Sequence, residues 1–280
     1  MDVRNLAGKT ALVTGAASGI GQQSALAFGR RGADLVICDI DEAGLAETEK
    51  ELQGLGRQVQ SRRVDVADRD AMQAFANDIH QHVDSIDLLM NNAGVALGGR
   101  FLDTSLEDWD WILGINLRGV IHGCHFFVPK MKEAGRGGHV VNVSSAAGYL
   151  PASVLSAYGT TKYAVLGLSE SLSIELAPHG IGVTALCPGI IDTPITRSAR
   201  LRGELDSADM RTEMVSRYGK RGYGPERVAT NLLKAIQKNR TVAPISPEAW
   251  LGYGFKRLAP GLVRWLAARG ERNAMESIGS

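Results

Sequence analysis

A single doubly wound α/β domain, a seven-stranded parallel sheet flanked by helices, is the fold class this 280-residue sequence predicts. Two observations predict it. From Thr10 onward, short apolar runs alternate with longer stretches of helical periodicity. Strands separated by helix-length crossovers run in the same direction, so they pair in parallel. The second observation is the glycine-rich turn "TGAASGIG" between the first apolar run and its helix.

"TALVTG" is the first strand, stopping at Gly15, and "GQQSALAFGRRG" is the helix behind it, closed by Gly32. "ADLVICDI" is the second strand and "DEAGLAETEKELQGLG" an amphipathic helix. "RQVQSRRVDV", "ADRDAMQAFANDIHQHV" and "SIDLLMNNAG" repeat the cycle as strand, helix and strand. Helices are expected from about residues 107 to 132 and 157 to 178. "GGHVVNVSS", "GIGVTALCPG" and "RTVAPIS" complete the seven strands. Residues 1–246 read as the cofactor-binding and catalytic body, and residues 247–280 as a helical extension of the same domain. Residues 190–223 read as a long loop, expected to form a mobile lid.

Composition narrows the function classes. Hydrophobic residues make up 44% of the chain, charged residues 22%, and the net charge is +1. No global field argues for a nucleic-acid partner. Cys38, Cys124 and Cys187 lie far apart in apolar runs, which suits a reducing, cytoplasmic setting with no disulfide framework. The six histidines show no metal-ligand spacing, so no metal site is expected. No run is long enough to span a membrane, and the opening residues lack the apolar core of a signal peptide.

The glycine loop carries the first functional signal. Glycines at 15, 19 and 21 allow a tight turn and a close backbone approach, and the following helix N-terminus offers free amides to a phosphate. A strand before it and a helix after it make this a Rossmann-type dinucleotide site. Asp39 ends the second strand, where a carboxylate accepts from adenosine ribose hydroxyls and repels a ribose 2′-phosphate. Ile40 and Asp41 offer no cation for that phosphate, nor does Ser18, so NAD is expected over NADP. Asp41 is available to cap the next helix. Asp65, in "VDVAD", is placed either to touch the adenine or to cap the third helix.

"AYGTTKYAVLGLSESL" sets Tyr158 and Lys162 four apart, on one face of a helix. A free phenol has a pKa near ~10, too high for an efficient base at neutral pH, and an ammonium one turn away favours the phenolate. Such a pair is a tuned proton carrier for moving hydride and proton between an alcohol and a nicotinamide. Taken alone, it also reads as a surface pair. Ser144 and Ser145 end the fifth strand, and alternation sends one to the cleft and the other away.

These motifs, in this order, resemble the short-chain dehydrogenase/reductase family, in its compact single-domain branch, over residues 8 to about 196. "NNAG" at 91–94 resembles the motif closing the fourth strand, and Asn116 in "GINLRGV" the family's helix asparagine. Ser145 stands thirteen residues before Tyr158, as the family serine does, and "YGTTK" is its Tyr-x-x-x-Lys. "CPG" at 187–189, with Thr193 beyond, resembles the nicotinamide segment. The resemblance implies a catalytic set of Asn116, Ser145, Tyr158 and Lys162. Asn116 would hold a water that links Lys162 to solvent. The implied cofactor contacts are Gly15, Ser18, Gly19, Ile20, Gly21, Asp39, Asp65, Val66, Asn92, Ala93, Gly94, Tyr158, Lys162, Pro188, Gly189, Ile191 and Thr193. It also implies a homodimer or homotetramer paired through the two long helices.

Val95, Leu97, Phe101, Tyr149, Leu150, Val154 and Leu155 lie in loops expected to line the substrate cleft, and none is a cationic clamp. An uncharged, apolar alcohol or ketone is therefore the expected substrate, although the same residues could simply pack on the body. Within the lid, the patch near Ile190, Ile191 and Ile195 is the expected contact, with the charges facing solvent. In the tail, Leu251, Phe255, Leu258, Leu262 and Leu266 fall on one helical stripe, broken at Pro260 and Gly261 and flanked by Lys256, Arg257, Arg264 and Arg269. That stripe could pack the core, cover the cleft, form an interface or rest on a membrane surface. The expected activity is NAD-dependent oxidation of a secondary alcohol, or reduction of the ketone. An NADPH-dependent carbonyl reductase and a non-catalytic dinucleotide-binding scaffold stand as the alternatives.

Overall fold

The computed structural model describes residues 1–278. The first half alternates β1 (Thr10–Thr14), α1 (Gly19–Gly29), β2 (Asp34–Asp39), α2 (Glu42–Gly54), β3 (Val59–Arg63), α3 (Arg69–His82) and β4 (Leu88–Asn91). A two-residue strand, β5 (Leu97–Gly98), precedes α4 (Leu106–Leu113), which continues through a π-turn at Gly114–Arg118 into α5 (Gly119–Ala134). Then come β6 (Gly138–Val143), α6 (Ser156–Leu176), β7 (Ile181–Cys187), β8 (Arg200–Leu201), α7 (Ala208–Arg221), α8 (Pro225–Gln237) and β9 (Val242–Pro244). The chain closes with α9 (Pro247–Leu258) and α10 (Pro260–Ile278).

The main sheet has the order β3-β2-β1-β4-β6-β7-β9, every pair parallel. Its inner strands read as continuous apolar runs because both faces are covered by helices, while the edge strand β3, VQSRR, is polar. Alternation sorts neighbours to opposite sides: Val13 and Ile37 join one apolar layer with Leu26, Phe28 and Leu232, while Leu12 and Val36 join the other with Phe75, Phe127 and Val165. A one-residue slip would exchange the two layers, so the register is firmly set. Helix entries are fixed locally. Asp41 accepts from the Gly44 amide at the start of α2, and Asp68 from those of Asp70 and Ala71 at the start of α3. Such caps contribute about 1 kcal/mol each.

The strand order reverses between β2 and β4, on either side of β1, which opens a crevice at the carboxyl ends of the strands. Two regions differ from expectation. Residues 190–223 form short turns, β8 and the 14-residue α7 rather than a structureless loop. β8 pairs with β5 in a separate parallel sheet, which is too short to leave a periodicity in the sequence. In the tail, α9 and α10 break at the predicted proline, but the apolar stripe is not core: Leu258 is 89% exposed, and Leu251, Phe255, Leu262 and Leu266 are also exposed. Among the described residues, no helix is long and apolar enough to cross a membrane.

Candidate active site

The crevice begins at the glycine loop. Gly15 has φ +65°, and a Cβ there would lie 2.7 Å from the Ala93 Cα. A Cβ on Gly21 would collide with the Gly15 carbonyl oxygen. Side chains are excluded because β1 and β4 end against each other. The Asn92 Nδ2 donates to the Thr14 and Gly15 carbonyls at 3.0 and 2.9 Å, and the Thr14 Oγ1 accepts from the Asn92 and Ala93 amides. Thr14 was not singled out in the sequence, where it reads as an ordinary strand residue. At the head of α1, Ser18 is the cap residue but makes no side-chain cap bond to the first-turn amides. Gly19 lies against Thr193, its would-be Cβ 3.4 Å from the Thr193 Cβ, so the loop and the segment after β7 face each other. Ile20 instead packs partly against the core.

The half-buried Asp39 accepts from the Ala17 amide at 2.9 Å and the Asp41 amide at 3.1 Å. It therefore ties the glycine loop to the end of β2, and a carboxylate accepting two bonds retains lone pairs for further donors. Asp65 is exposed and accepts from the Ala67 amide, while Asp68 caps α3, so the capping alternative for Asp65 falls away. Val66 is buried, its side chain against Gly119 and its carbonyl accepting from His122. Ile191 is a buried residue of the apolar layer that also holds Tyr223 and Ile245. The Pro188 carbonyl accepts from the Ala146 amide, and Gly189 lies against Ser246 and Glu248.

The first turn of α6 carries Tyr158, with Lys162 one turn on. Lys162 is only 4% exposed, and its ammonium sits 5.6 Å from the centre of the Tyr158 ring and donates to the Val143 carbonyl at 3.0 Å. Burial pulls its pKa down to about 8. The Ser144 hydroxyl is buried and donates to the Lys162 carbonyl at 2.7 Å. Ser145 is the half-buried member of the pair, accepting from the Ala147 amide and donating to Pro188. It lies two residues past the end of β6, on a short turn, not on the strand itself.

Asn116 sits in the π-turn, buried, with both ends of its side-chain amide bonded. Oδ1 accepts from the Val95 amide at 2.8 Å, and Nδ2 donates to the Val95 carbonyl at 2.9 Å and to Thr161 at 3.3 Å. These bonds tie the side chain to Val95 and Thr161 and leave one Oδ1 lone pair unused. Gly94 fits between Asn116 and Lys162, where a Cβ would lie 3.2 Å from the Asn116 Oδ1 and 3.6 Å from the Lys162 Nζ. The structure thus brings Asn116, Ser145, Tyr158, Lys162 and Gly94 together across β4, β6 and α6.

The cleft wall needs more correction. Leu97 is buried with Ile112 and Ala157, and Val95, Trp109, Trp111 and Tyr158 pack on them. Tyr149 is buried, donates to the Ala249 carbonyl at 2.9 Å and packs edge-on against Tyr253. Leu97 and Tyr149 are therefore supports rather than open lining. Phe101 is exposed and meets Trp109 edge-on. Leu150, Val154, Leu155, Ile190 and Ile195 remain half-buried around the mouth. Four contributors went unread in the sequence. Trp109 and Trp111 pack on the same buried cluster as Tyr158, although "EDWDWIL" displays them openly. Glu248 accepts from the Ile190 amide, and the buried Asp108 holds Arg200 and Arg202. "SLED", with Ser105 capping Asp108, is a visible helix-start signal, but nothing local tells that its acid meets arginines 92 and 94 residues away.

Comparison with known proteins agrees with this geometry. The short chain dehydrogenase family model matches residues 9–203. The protein named "Probable oxidoreductase EphD" of Mycobacterium tuberculosis is 41% identical over 256 residues, covering 90% of this chain and 43% of its own length. The chain thus spans less than half of that relative. A short-chain dehydrogenase/reductase from Burkholderia phymatum, solved with NAD, matches with a TM-score of 0.83 at 31% identity, covering 94% of this chain and 96% of the other. A short-chain dehydrogenase from Mycobacterium paratuberculosis, also solved with NAD, matches with a TM-score of 0.74 at 26% identity, covering 86% and 97%. On the family model, the shared fold and the joined motifs, the chain belongs to the short-chain dehydrogenase/reductase family.

Proposed function

We propose that the protein is an NAD-dependent oxidoreductase that converts an uncharged, apolar secondary alcohol into its ketone, or the reverse. The observation that carries the reading is the buried Lys162 ammonium beside Tyr158, at the mouth of a glycine loop that admits no side chain. That cradle and the uncapped start of α1 fit a dinucleotide, held by Gly15, Gly19, Gly21 and Thr193, with Asp39 toward the ribose. Bound NAD would supply the hydride acceptor. Asp39 argues against the NADPH-dependent alternative, because a second anion there would repel a 2′-phosphate.

The chain's own residues do the rest. Tyr158 takes the substrate's hydroxyl proton. Lys162 favours the phenolate, and its bond to Val143 fixes where that charge sits. Ser145, freer than Ser144, holds the substrate oxygen. Asn116 and Gly94 keep β4 in register with α6 and so keep the lysine in place. An apolar substrate is supported by Val95, Trp109 and Trp111 sharing one buried cluster with Tyr158, and by Arg200 and Arg202 being committed to Asp108 rather than free to bind an anion. Pairing of two copies through α5 and α6, where Ile121 and the 78%-exposed Ile174 stand out, belongs to the same reading. Tyr158→Phe keeps the ring and removes the proton carrier. Turnover should fall by ~10²–10⁴ while NADH binding stays near wild type. Retained turnover in a ketone reduction assay would overturn the assignment.

A further inference from the structure

The lid meets the cleft rim through charge: Arg100 reaches Glu204 at 3.8 Å, and a tighter cluster forms at β8. The lid leaves β7 at Cys187, passes the glycine loop at Thr193 and lands on the cleft rim as β8. There the Arg200 amide donates to Ala96 and the Arg202 amide to Gly98. Two residues of parallel ladder are a weak anchor. Asp108, on the first turn of α4 and 3% exposed, reinforces it. The Arg202 guanidinium grips both carboxylate oxygens at 2.6 and 2.8 Å, and Arg200 adds a third bond at 3.3 Å while its guanidinium lies 3.6 Å from the centre of the Trp111 ring. The fork geometry is the strong form of such pairs. The seam also runs on toward the reacting groups. Gly99 donates to Val154 and bridges Leu155, which leads into the first turn of α6 and Tyr158.

We propose that Asp108 is a positioning residue for substrate capture: by holding Arg200 and Arg202 it pins β8 to β5, and so sets the lid across the mouth of the Tyr158 cleft. This rests on the oxidoreductase reading above. The cofactor cradle is built on β1, β2 and β4, with Thr193 at the near end of the lid, seven residues before β8, and it does not include the latch. Loosening the latch weakens retention of the substrate and leaves the proton carrier and the NAD contacts in place. Arg202 grips with two bonds and Arg200 with one, so loss of Arg202 has the larger effect.

The test compares wild type with Asp108→Asn, Asp108→Glu and Arg202→Gln. Arg202→Gln leaves Asp108 paired with Arg200, so it reports on the latch even if Asp108→Asn fails to fold. For Asp108→Asn and Arg202→Gln, the expected result is a KM for the ketone raised by about tenfold or more, with kcat within about threefold and NADH affinity unchanged. Asp108→Glu should restore most of the loss. Tryptic cleavage within residues 197–221, read by mass, should also quicken by about tenfold without a matching fall in melting temperature. An unchanged KM with unchanged cleavage overturns the proposal. So does a parallel fall in kcat, NADH affinity and melting temperature, which would make Asp108 a general structural residue. The cleavage arm needs no turnover, so a wild type inactive on every ketone would sink the oxidoreductase reading while the lid result still judged the latch.

Discussion

Lys162 holds a charge where water does not reach, and that burden has a measurable pH profile. Its pKa falls from 10.5 to about 8 on burial, so folding costs on the order of 3 kcal/mol wherever both states are charged. The cost is fully present below pH 8. Between pH 8 and 10.5 the folded lysine loses its proton before the unfolded one does, and stability rises. Lys162→Met should therefore be at least as stable as wild type at pH 7 in urea unfolding, with the gap closing by pH 10.5, while turnover is lost. The bond to Val143 that the change removes works against this by about 1 kcal/mol. A variant less stable than wild type at pH 7 would contradict the assigned burial penalty. Asp39 makes the second prediction at this scale. Asp39→Ala should weaken NADH binding and narrow the preference over NADPH, measured by titrating both cofactors against both proteins. A wild type that prefers NADPH would refute the ribose role. Residue identity was legible here, but bonding was not. The sequence offered Ser144 and Ser145 as a pair, and only the path of β6 into α6 shows which hydroxyl is spent on the Lys162 carbonyl.

At the scale of elements, the tail divides into two helices with different surroundings. α9 is built into the cleft wall: Tyr149 reaches the Ala249 carbonyl, Tyr253 packs on Tyr149, and Gly252 lies against Leu150. α10 instead leaves Leu262, Trp265 and Leu266 exposed, flanked by Arg264 and Arg269. If the pair forms an apolar entrance, removing residues 259–280 takes away α10 and keeps α9. NADH affinity and kcat/KM for a small ketone should then hold, while the advantage of a bulky apolar ketone shrinks by about tenfold, a loss of roughly 1.4 kcal/mol. An equal loss on both substrates with a lower melting temperature would identify α10 as interface packing instead. Helix periodicity announced α9, α10 and their break at Pro260, because proline and amphipathic spacing are local properties. It said nothing of what each helix touches. The same limit hid β5 and β8, whose two residues apiece acquire meaning only when they meet.

Across the whole molecule, the seven-stranded sheet and its parallel sense were legible because helix-length crossovers leave few alternatives, whereas the order of the strands was not read. The cradle was legible for a similar reason: Gly15, Gly19, Gly21 and Asp39 all lie within the first strand-helix-strand unit. What the sequence left unread comes from residues far apart along the chain, such as Thr14 with Asn92 or Asp108 with Arg202. That distance also orders assembly in time. β1 pairs with β2 across 24 residues, from Thr10 to Asp34, whereas β5 pairs with β8 across 103, from Leu97 to Arg200. Closing the longer loop costs more chain entropy and yields only two residues of ladder. A chain growing from the ribosome can pair β1, β2, β3 and β4 while the lid's arginines are still unsynthesised. The strands that carry the glycine loop can thus pair early, and the substrate cleft acquires its roof later, when Arg200 and Arg202 find an aspartate already waiting on α4.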